Sequence, residues 1–129
     1  MRRAVIDPPG GYSDAVLRVA RAIATAEGYY VSESIPSRLN NPGDLKASSV
    51  LSVGRDAAGH LEFATIADGW RALYRQLQLI IDGRSQNYML DMTIAQMGRI
   101  YAGNAGAWSA NVARMLGVPI DTPLRQVLL

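Results

Sequence analysis

Residues 13–28 read SDAVLRVARAIATAEG, and this stretch decides the fold that the sequence predicts. Ser13 is a suitable N-cap, and Asp14 follows in the first turn, where the helix dipole favours an anion. Apolar residues recur after it at three- and four-residue steps, which is the period of one helix face. Gly28 is a stop signal, so we expect a helix that ends at Ala26 or Glu27. The residues of the apolar face are Val16, Val19, Ile23 and Ala26, widened by Leu17, Ala20 and Ala24.

Glu27 lies at the end of this apolar face, one turn after Ile23. A carboxylate there should be partly desolvated, which disfavours the charged form and raises the pKa. The carbonyl groups at the helix C-terminus act in the same direction. A general acid that works near neutral pH needs such a raised pKa. Glu27 is therefore the candidate catalytic acid, and the alternative is a surface glutamate at the edge of a helix.

The chain on either side of this helix predicts one domain of α+β class, mostly α. Residues 1–12 read as an irregular arm, and 13–129 as the domain. Residues 28–66 indicate a small irregular β-subregion with one short hairpin. Helices return after it, with N-caps expected at Asp68, at Thr93 with Gln96 as a capping box, and at Thr122, and with a further helix from about Ala107 to Leu116.

Composition limits the classes of function. The 129 residues include no cysteine and one histidine, so we expect no disulfide framework, no metal site and no cofactor. The net charge of +2 suits an anionic polymer but decides nothing alone. No apolar run approaches the ~18 residues of a membrane span, so none is expected. No apolar run follows Arg2 and Arg3, so we expect no signal peptide and a protein made in the cytoplasm. We also expect a monomer.

A turn follows in Asn40-Asn41-Pro42-Gly43-Asp44-Leu45. Asparagines before Pro-Gly favour turns, and their amides can hydrogen-bond to sugar hydroxyl and acetamido groups. An ordinary tight turn is the alternative. Tyrosines near the expected cleft, Tyr29, Tyr30 and Tyr101, could also bind a sugar, because their flat rings stack on sugar faces.

Several segments together resemble a known family, the lysozyme-like domains of phage and bacterial cell-wall lytic enzymes. The resemblance rests on AIATAEG (22–28), RLNNPGDL (38–45), FAT (63–65), DGW (68–70), MTIAQM (92–97), YAG (101–103) and the stretch from Trp108 to Gly117. It implies a lysozyme-like fold, with helices around a core helix, and cleavage of the β-1,4 glycan bond of peptidoglycan with Glu27 as general acid. The resemblance and the chemistry of the turn together suggest six residues for substrate binding: Asn40, Asn41, Tyr101, Tyr30, Thr65 and Asp44. Without a signal peptide, a protein of this family would reach the cell wall by phage lysis, in a virion or by other export.

The resemblance leaves the reaction open. The family often has asparagine where this chain has Asp44, and it fixes no second carboxylate; Glu33 and Asp44 are the candidates. A hydrolase of the usual kind needs two carboxylates. A lytic transglycosylase of this family needs only the glutamate, which protonates the glycosidic oxygen and then deprotonates the muramyl 6-hydroxyl, giving a 1,6-anhydro sugar. Both routes cut the glycan strand.

Two other functions fit parts of the sequence. A lysozyme-like domain could bind glycan without cutting it, for example as a structural part of a virion. The segment 93–116 could pass for a helix-turn-helix, but its second helix offers few polar groups to a DNA groove, so no nucleic-acid partner is expected. Trp70 and Trp108 are predicted as core residues, and His60 as a solvated turn residue.

Overall fold

The computed structural model describes residues 11–129. Of the predicted arm, residues 1–10 lie outside the described residues, and Gly11 and Tyr12 belong to no helix or strand. The described chain is α+β and mostly helical, which confirms the predicted class. Its elements are α1 (Asp14–Ala26), α2 (Ile35–Arg38), β1 (Gly54–Arg55), β2 (Leu61–Glu62), α3 (Ile66–Ile81), α4 (Ile94–Tyr101), α5 (Ala105–Leu116) and α6 (Leu124–Leu128).

Helix α1 forms as the sequence predicts. The Ser13 hydroxyl accepts a hydrogen bond from the backbone N–H of Val16 at 3.1 Å, so it caps the helix. Glu27 is the C-terminal cap, and Gly28 follows with φ 81°, a left-handed conformation that suits glycine. The helix packs against α5, α3 and α6. Glu27 is thereby fixed at the end of the most enclosed helix.

Two groups of buried side chains form the core. The larger one surrounds α1 and takes side chains from α3, α4, α5 and α6. The smaller one lies beneath the hairpin and consists of Leu45, Leu61, Phe63 and Ala72. Tyr101 packs against both groups. The helical part and the hairpin part of the chain therefore meet at this tyrosine.

The predicted hairpin is present, and the segment before it holds a helix that the sequence did not predict. Strand β1 pairs antiparallel with β2, with Gly54 opposite Glu62. Helix α2 is a single turn that begins after Ser34, whose hydroxyl accepts from Ser37 N at 3.3 Å. Four residues are too few to show a helical period, so pattern alone missed it.

Some predicted helix starts are wrong by a few residues. Thr65, not Asp68, caps α3, and its hydroxyl accepts from the backbone N–H of Asp68 at 3.0 Å. Asn104 caps α5, which begins at Ala105 rather than near Ala107. Pro123, not Thr122, stands at the N-cap of α6 and makes no side-chain cap bond. The capping box of Thr93 and Gln96 is confirmed.

Helix α3 lies directly against the turn that follows α2. A Cβ built on Gly69 would come within 1.7 Å of the carbonyl oxygen of Asn40, so only glycine allows this approach. The approach fixes the Asn40–Asp44 turn on one side of the core, with the end of α1 opposite.

Candidate functional site

An open groove lies between the end of α1, the 44–47 loop with the hairpin, and the connection from α4 to α5. Its volume is about 680 Å³. Glu27 lines the groove on the α1 side, and Asp44 and His60 line it on the hairpin side. The end of α1 and the hairpin region therefore form two walls of one groove, and α5 contributes a third.

Glu27 is partly buried in this groove, and its pKa is raised from 4.5 to about 7. Burial away from water is the main cause, and the negative charge of Asp44 is the next. The direction agrees with the sequence prediction. A carboxyl with this pKa is largely protonated below neutral pH and can donate a proton there.

Asp44 is the carboxylate that faces Glu27, and the two side chains lie within hydrogen-bond range. This contact raises the pKa of Glu27 and lowers that of Asp44, so the proton between them belongs to Glu27. Burial still leaves the pKa of Asp44 above its ordinary value. Asp44 Oδ1 is buried and has no N–H or hydroxyl donor among the described residues. A protonated Glu27 can donate a hydrogen bond to Asp44.

Asp44 reaches this place through its backbone. Its φ is 52°, in the left-handed region that aspartate tolerates better than most residues. Of the two candidates for a second carboxylate, the structure brings Asp44 to Glu27. Glu33 also has a positive φ, of 67°, but it is exposed and does not line the groove.

Trp108 contributes an edge to the groove. The residue is 3% exposed, which confirms the prediction that it belongs to the core. The residue nevertheless lines the groove, and its indole Nε1 is buried without a hydrogen-bond partner among the described residues. The indole N–H lies near enough to Glu27 to lower the pKa of that carboxyl, against the larger effects of burial and Asp44.

Tyr101 lies in the groove wall, as predicted, between two other rings. Its ring stacks on Trp108 at 4.9 Å and on Tyr88 at 6.2 Å between centroids. The Tyr101 hydroxyl donates to the carbonyl oxygen of Gly43 at 2.6 Å. Burial raises the pKa of Tyr101 well above 10 and that of Tyr88 to about 12, so both phenols stay neutral. Substrate contact by Tyr101 remains a prediction.

The side chains of the two asparagines in the turn form hydrogen bonds with backbone groups of the protein and do not line the groove. Asn41 is fully buried, and its amide donates to the carbonyls of Leu45 and Leu61 at 2.9 and 2.8 Å and accepts from Leu45 N at 2.9 Å. The prediction that Asn41 binds sugar is therefore wrong, because its side chain has no free surface. Asn40 donates to Phe63 O at 3.0 Å and is not part of the groove lining, so its sugar contact stays a prediction.

Two further predicted binding residues lie outside the groove. Tyr30 is 58% exposed and packs edge-on against Tyr29, which in turn packs on the buried Trp70. Thr65 is exposed and its hydroxyl is used as the cap of α3. Neither residue lines the groove, and their contact with substrate stays a prediction.

His60 is a groove residue that sequence reasoning did not select. It is partly buried, lines the groove and lies between two carboxylates, with Nδ1 2.9 Å from Asp56 Oδ2 and Nε2 3.3 Å from Asp44 Oδ2. The prediction of a solvated turn residue was wrong because the partner Asp44 belongs to a different loop. Only the spacing of Asp56 and His60 within one turn was visible in the sequence.

Polar side chains other than carboxylates complete the groove, among them Asn87, Asn104 and Asn111 with Lys46 at the rim. Among residues 11–129, no three histidine, cysteine or acidic side chains are placed to hold a metal ion together. No helix within that same range has the length and apolar character needed to cross a membrane.

Comparisons of the chain with protein-family models, with curated protein sequences and with solved structures found no match.

Proposed function

We propose that this protein cleaves the glycan strands of peptidoglycan at the β-1,4 bond between amino sugars, with Glu27 as the general acid. One observation carries the proposal: a carboxyl with a pKa of about 7 lines an open groove beside a second carboxyl. A glycosidic oxygen is a poor leaving group until it is protonated, and a carboxyl with a raised pKa is the usual donor.

The groove has groups that suit an amino-sugar polymer. The amide of Asn87 can donate to and accept from hydroxyl and acetamido groups, and the amide N–H groups of Asn104 and Asn111, whose oxygens accept from Ala107 and Arg114, can donate to them. Lys46 at the rim suits the carboxylates of a cell-wall polymer. An open groove, unlike a closed pocket, lets a long strand pass through the site. These features support a polymeric substrate over a small ligand.

Asp44 restricts how the reaction proceeds. An inverting hydrolase keeps its two carboxyl groups roughly 6.5–9.5 Å apart, to leave room for a water molecule. Glu27 and Asp44 lie within hydrogen-bond range, which is closer than this and also closer than the roughly 5–5.5 Å of a retaining pair. Two routes fit this arrangement: the charge of Asp44 stabilises the oxocarbenium-like centre, which water then attacks, or the muramyl 6-hydroxyl attacks and Glu27 takes its proton.

A product analysis tests the proposal and separates the routes. Purified sacculi are incubated with the protein at about pH 6, where Glu27 still holds its proton. We expect soluble muropeptide fragments that end either in a reducing sugar or in a 1,6-anhydro sugar lighter by one water. Glu27→Gln is the matched control for contaminating activities.

A non-catalytic glycan-binding module gives a different result in that experiment. The protein would then sediment with sacculi, yet wild type and Glu27→Gln would release equally few fragments. Such an outcome would overturn the proposal of cleavage and leave the groove as a binding site. Nucleic-acid binding has less support, since Arg114 is the one charged residue of α5, the helix that would enter a DNA groove.

A further inference from the structure

The hairpin turn holds one imidazole in a fixed orientation. Asp56 Oδ1 accepts from the backbone N–H groups of Ala58 at 3.0 Å and His60 at 2.8 Å, while Oδ2 lies 2.9 Å from His60 Nδ1. The backbone N–H of Asp56 donates in return to His60 O at 2.9 Å. With four contacts in one turn, Asp56 fixes the ring plane of His60, and the other ring nitrogen is aimed at the groove.

That second nitrogen meets the catalytic pair. His60 Nε2 lies 3.3 Å from Asp44 Oδ2, and Asp44 in turn lies within hydrogen-bond range of Glu27. An imidazole with a carboxylate at each nitrogen can donate to both only when both nitrogens carry a proton. Four groups, Glu27, Asp44, His60 and Asp56, then form a chain in which every neighbouring pair shares one proton.

We propose that Asp56 and His60 form a clamp that holds Asp44 as the anion, so that the proton shared within the carboxyl pair stays on Glu27. His60 is a positioning residue here, because it contacts Asp44 and not the glycosidic bond. The clamp deepens the proposed function and rests on it for its effect on cleavage. Its effect on the proton distribution does not depend on any activity.

The other charged groups around the clamp do not replace it. Among the influences that lower the pKa of Asp44, the charge of His60 is the largest, and Lys46 contributes less. Arg55 is used by the backbone, donating to Lys46 O at 2.8 Å and Gly59 O at 3.1 Å. It ties the 44–47 loop to the hairpin turn and so keeps Asp44 and His60 at a fixed separation.

The indole N–H resonance of Trp108 reports on the protonation state of Glu27. Its Nε1–H lies beside Glu27, so its ¹H–¹⁵N resonance should move as Glu27 loses its proton near pH 7. The chain has only two tryptophans, and Trp70→Phe identifies the signal. In His60→Gln, Asp44 competes for the shared proton, and Glu27 is already partly ionised below pH 7. We expect the step of the Trp108 titration near pH 7 to lose about half of its amplitude, because two sites that share one proton equally each lose only half of it in that step.

The rate of glycan release gives a second reading if the protein is active. Loss of a neighbouring cation raises the pKa of a carboxyl by about 1 unit or more. The acid limb of the pH–rate profile is the part in which the rate rises as Asp44 loses its proton. In His60→Gln this limb should therefore move up by about 1 pH unit. Asp56→Asn should move the limb by less than His60→Gln does, because it frees the ring of His60 but also removes a negative charge that raises the pKa of Asp44. Arg71→Gln removes a positive charge from the surface of α3, outside the groove, and serves as the control.

The outcomes separate the two proposals. An inactive wild type whose Trp108 titration loses amplitude in His60→Gln supports the clamp and contradicts cleavage. An active wild type with the same amplitude and acid limb in His60→Gln and Arg71→Gln contradicts the clamp alone. Thermal unfolding of each variant shows whether it is folded, and His60→Asn carries the test if His60→Gln does not fold.

Discussion

The hydroxyl of Tyr101, at the end of α4, donates a 2.6 Å hydrogen bond to the carbonyl oxygen of Gly43, in the turn that carries Asp44. The same turn is packed tightly, since a Cβ on Gly43 would lie 2.9 Å from Leu73 Cδ1 and 3.0 Å from the Tyr101 hydroxyl. The position of Asp44 opposite Glu27 thus depends on a helix far away in the sequence.

Tyr101→Phe removes this bond and leaves the ring stacking in place. A hydrogen bond of this kind contributes roughly 1 kcal/mol to stability. We expect the free energy of unfolding, measured by denaturant titration, to fall by about that amount. The turnover of glycan should fall further than stability explains, because Asp44 loses its support. Tyr30→Phe removes a hydroxyl from an exposed ring outside the groove and should change neither quantity. Equal behaviour of the two variants would show that the bond does not position the turn.

Gly69→Ala tests the contact between α3 and the turn. The added methyl group would collide with the backbone carbonyl of Asn40, which cannot move as a side chain can. We expect a loss of about 3 kcal/mol or more in unfolding free energy. Gly106→Ala is the matched control in α5, where a Cβ meets no atom within 4 Å and should stabilise the helix by up to about 1 kcal/mol. Similar melting temperatures for the two variants would contradict the close approach.

Helix positions could be predicted from sequence because their signals are local. Ser13 with Gly28, and Thr93 with Gln96, lie within single segments, and the structure uses them as expected. The helix start at Thr65 was misplaced by three residues because Thr65 and Asp68 can both act as a cap. The start of α5 was placed two residues too late because the glycines at 103 and 106 weaken the helical pattern around Asn104.

The site was predicted only in part, because its geometry depends on contacts between distant segments. Glu27 was found since burial at the end of an apolar helix face is itself a local pattern. The asparagine amides looked suitable for sugar, but Asn41 satisfies three backbone groups within the smaller core. His60 gained its role from Asp44 in another loop. No spacing in the sequence predicts the contact between His60 and Asp44.

Asp44→Asn should lower the pKa of Glu27, because both the charge of Asp44 and its hydrogen bond raise that pKa. Asparagine accepts a positive φ, so the turn should fold normally. The alkaline limb of the pH–rate profile, which falls as Glu27 loses its proton, should therefore move to lower pH. A limb that stays in place would mean that another group sets it. The rate at the optimum distinguishes a reaction that needs the second carboxylate from one that does not.

Glu27→Gln should change how stability depends on pH. In wild type the pKa of Glu27 is about 7 in the folded protein, against 4.5 for the ordinary value, so the folded state holds its proton more tightly. Wild-type stability is therefore lost as pH rises from about 4.5 to 7, whereas the neutral amide has no such loss. The variant should gain on the order of 2 kcal/mol relative to wild type between about pH 4 and pH 8. Glu62→Gln, on the exposed face of β2, gives the background, and parallel curves for all three proteins would contradict the raised pKa.

The most direct test of the central claim is the initial rate at which wild type and Glu27→Gln release soluble glycan from purified sacculi at about pH 6. Both proteins are first shown to be folded by thermal unfolding. A positioned acid contributes roughly 100- to 10,000-fold in rate. We predict that Glu27→Gln is slower by at least about 100-fold and that the wild-type rate falls as pH rises through about 7. A folded Glu27→Gln protein that releases glycan at a rate near that of wild type would contradict the claim that Glu27 is the proton donor.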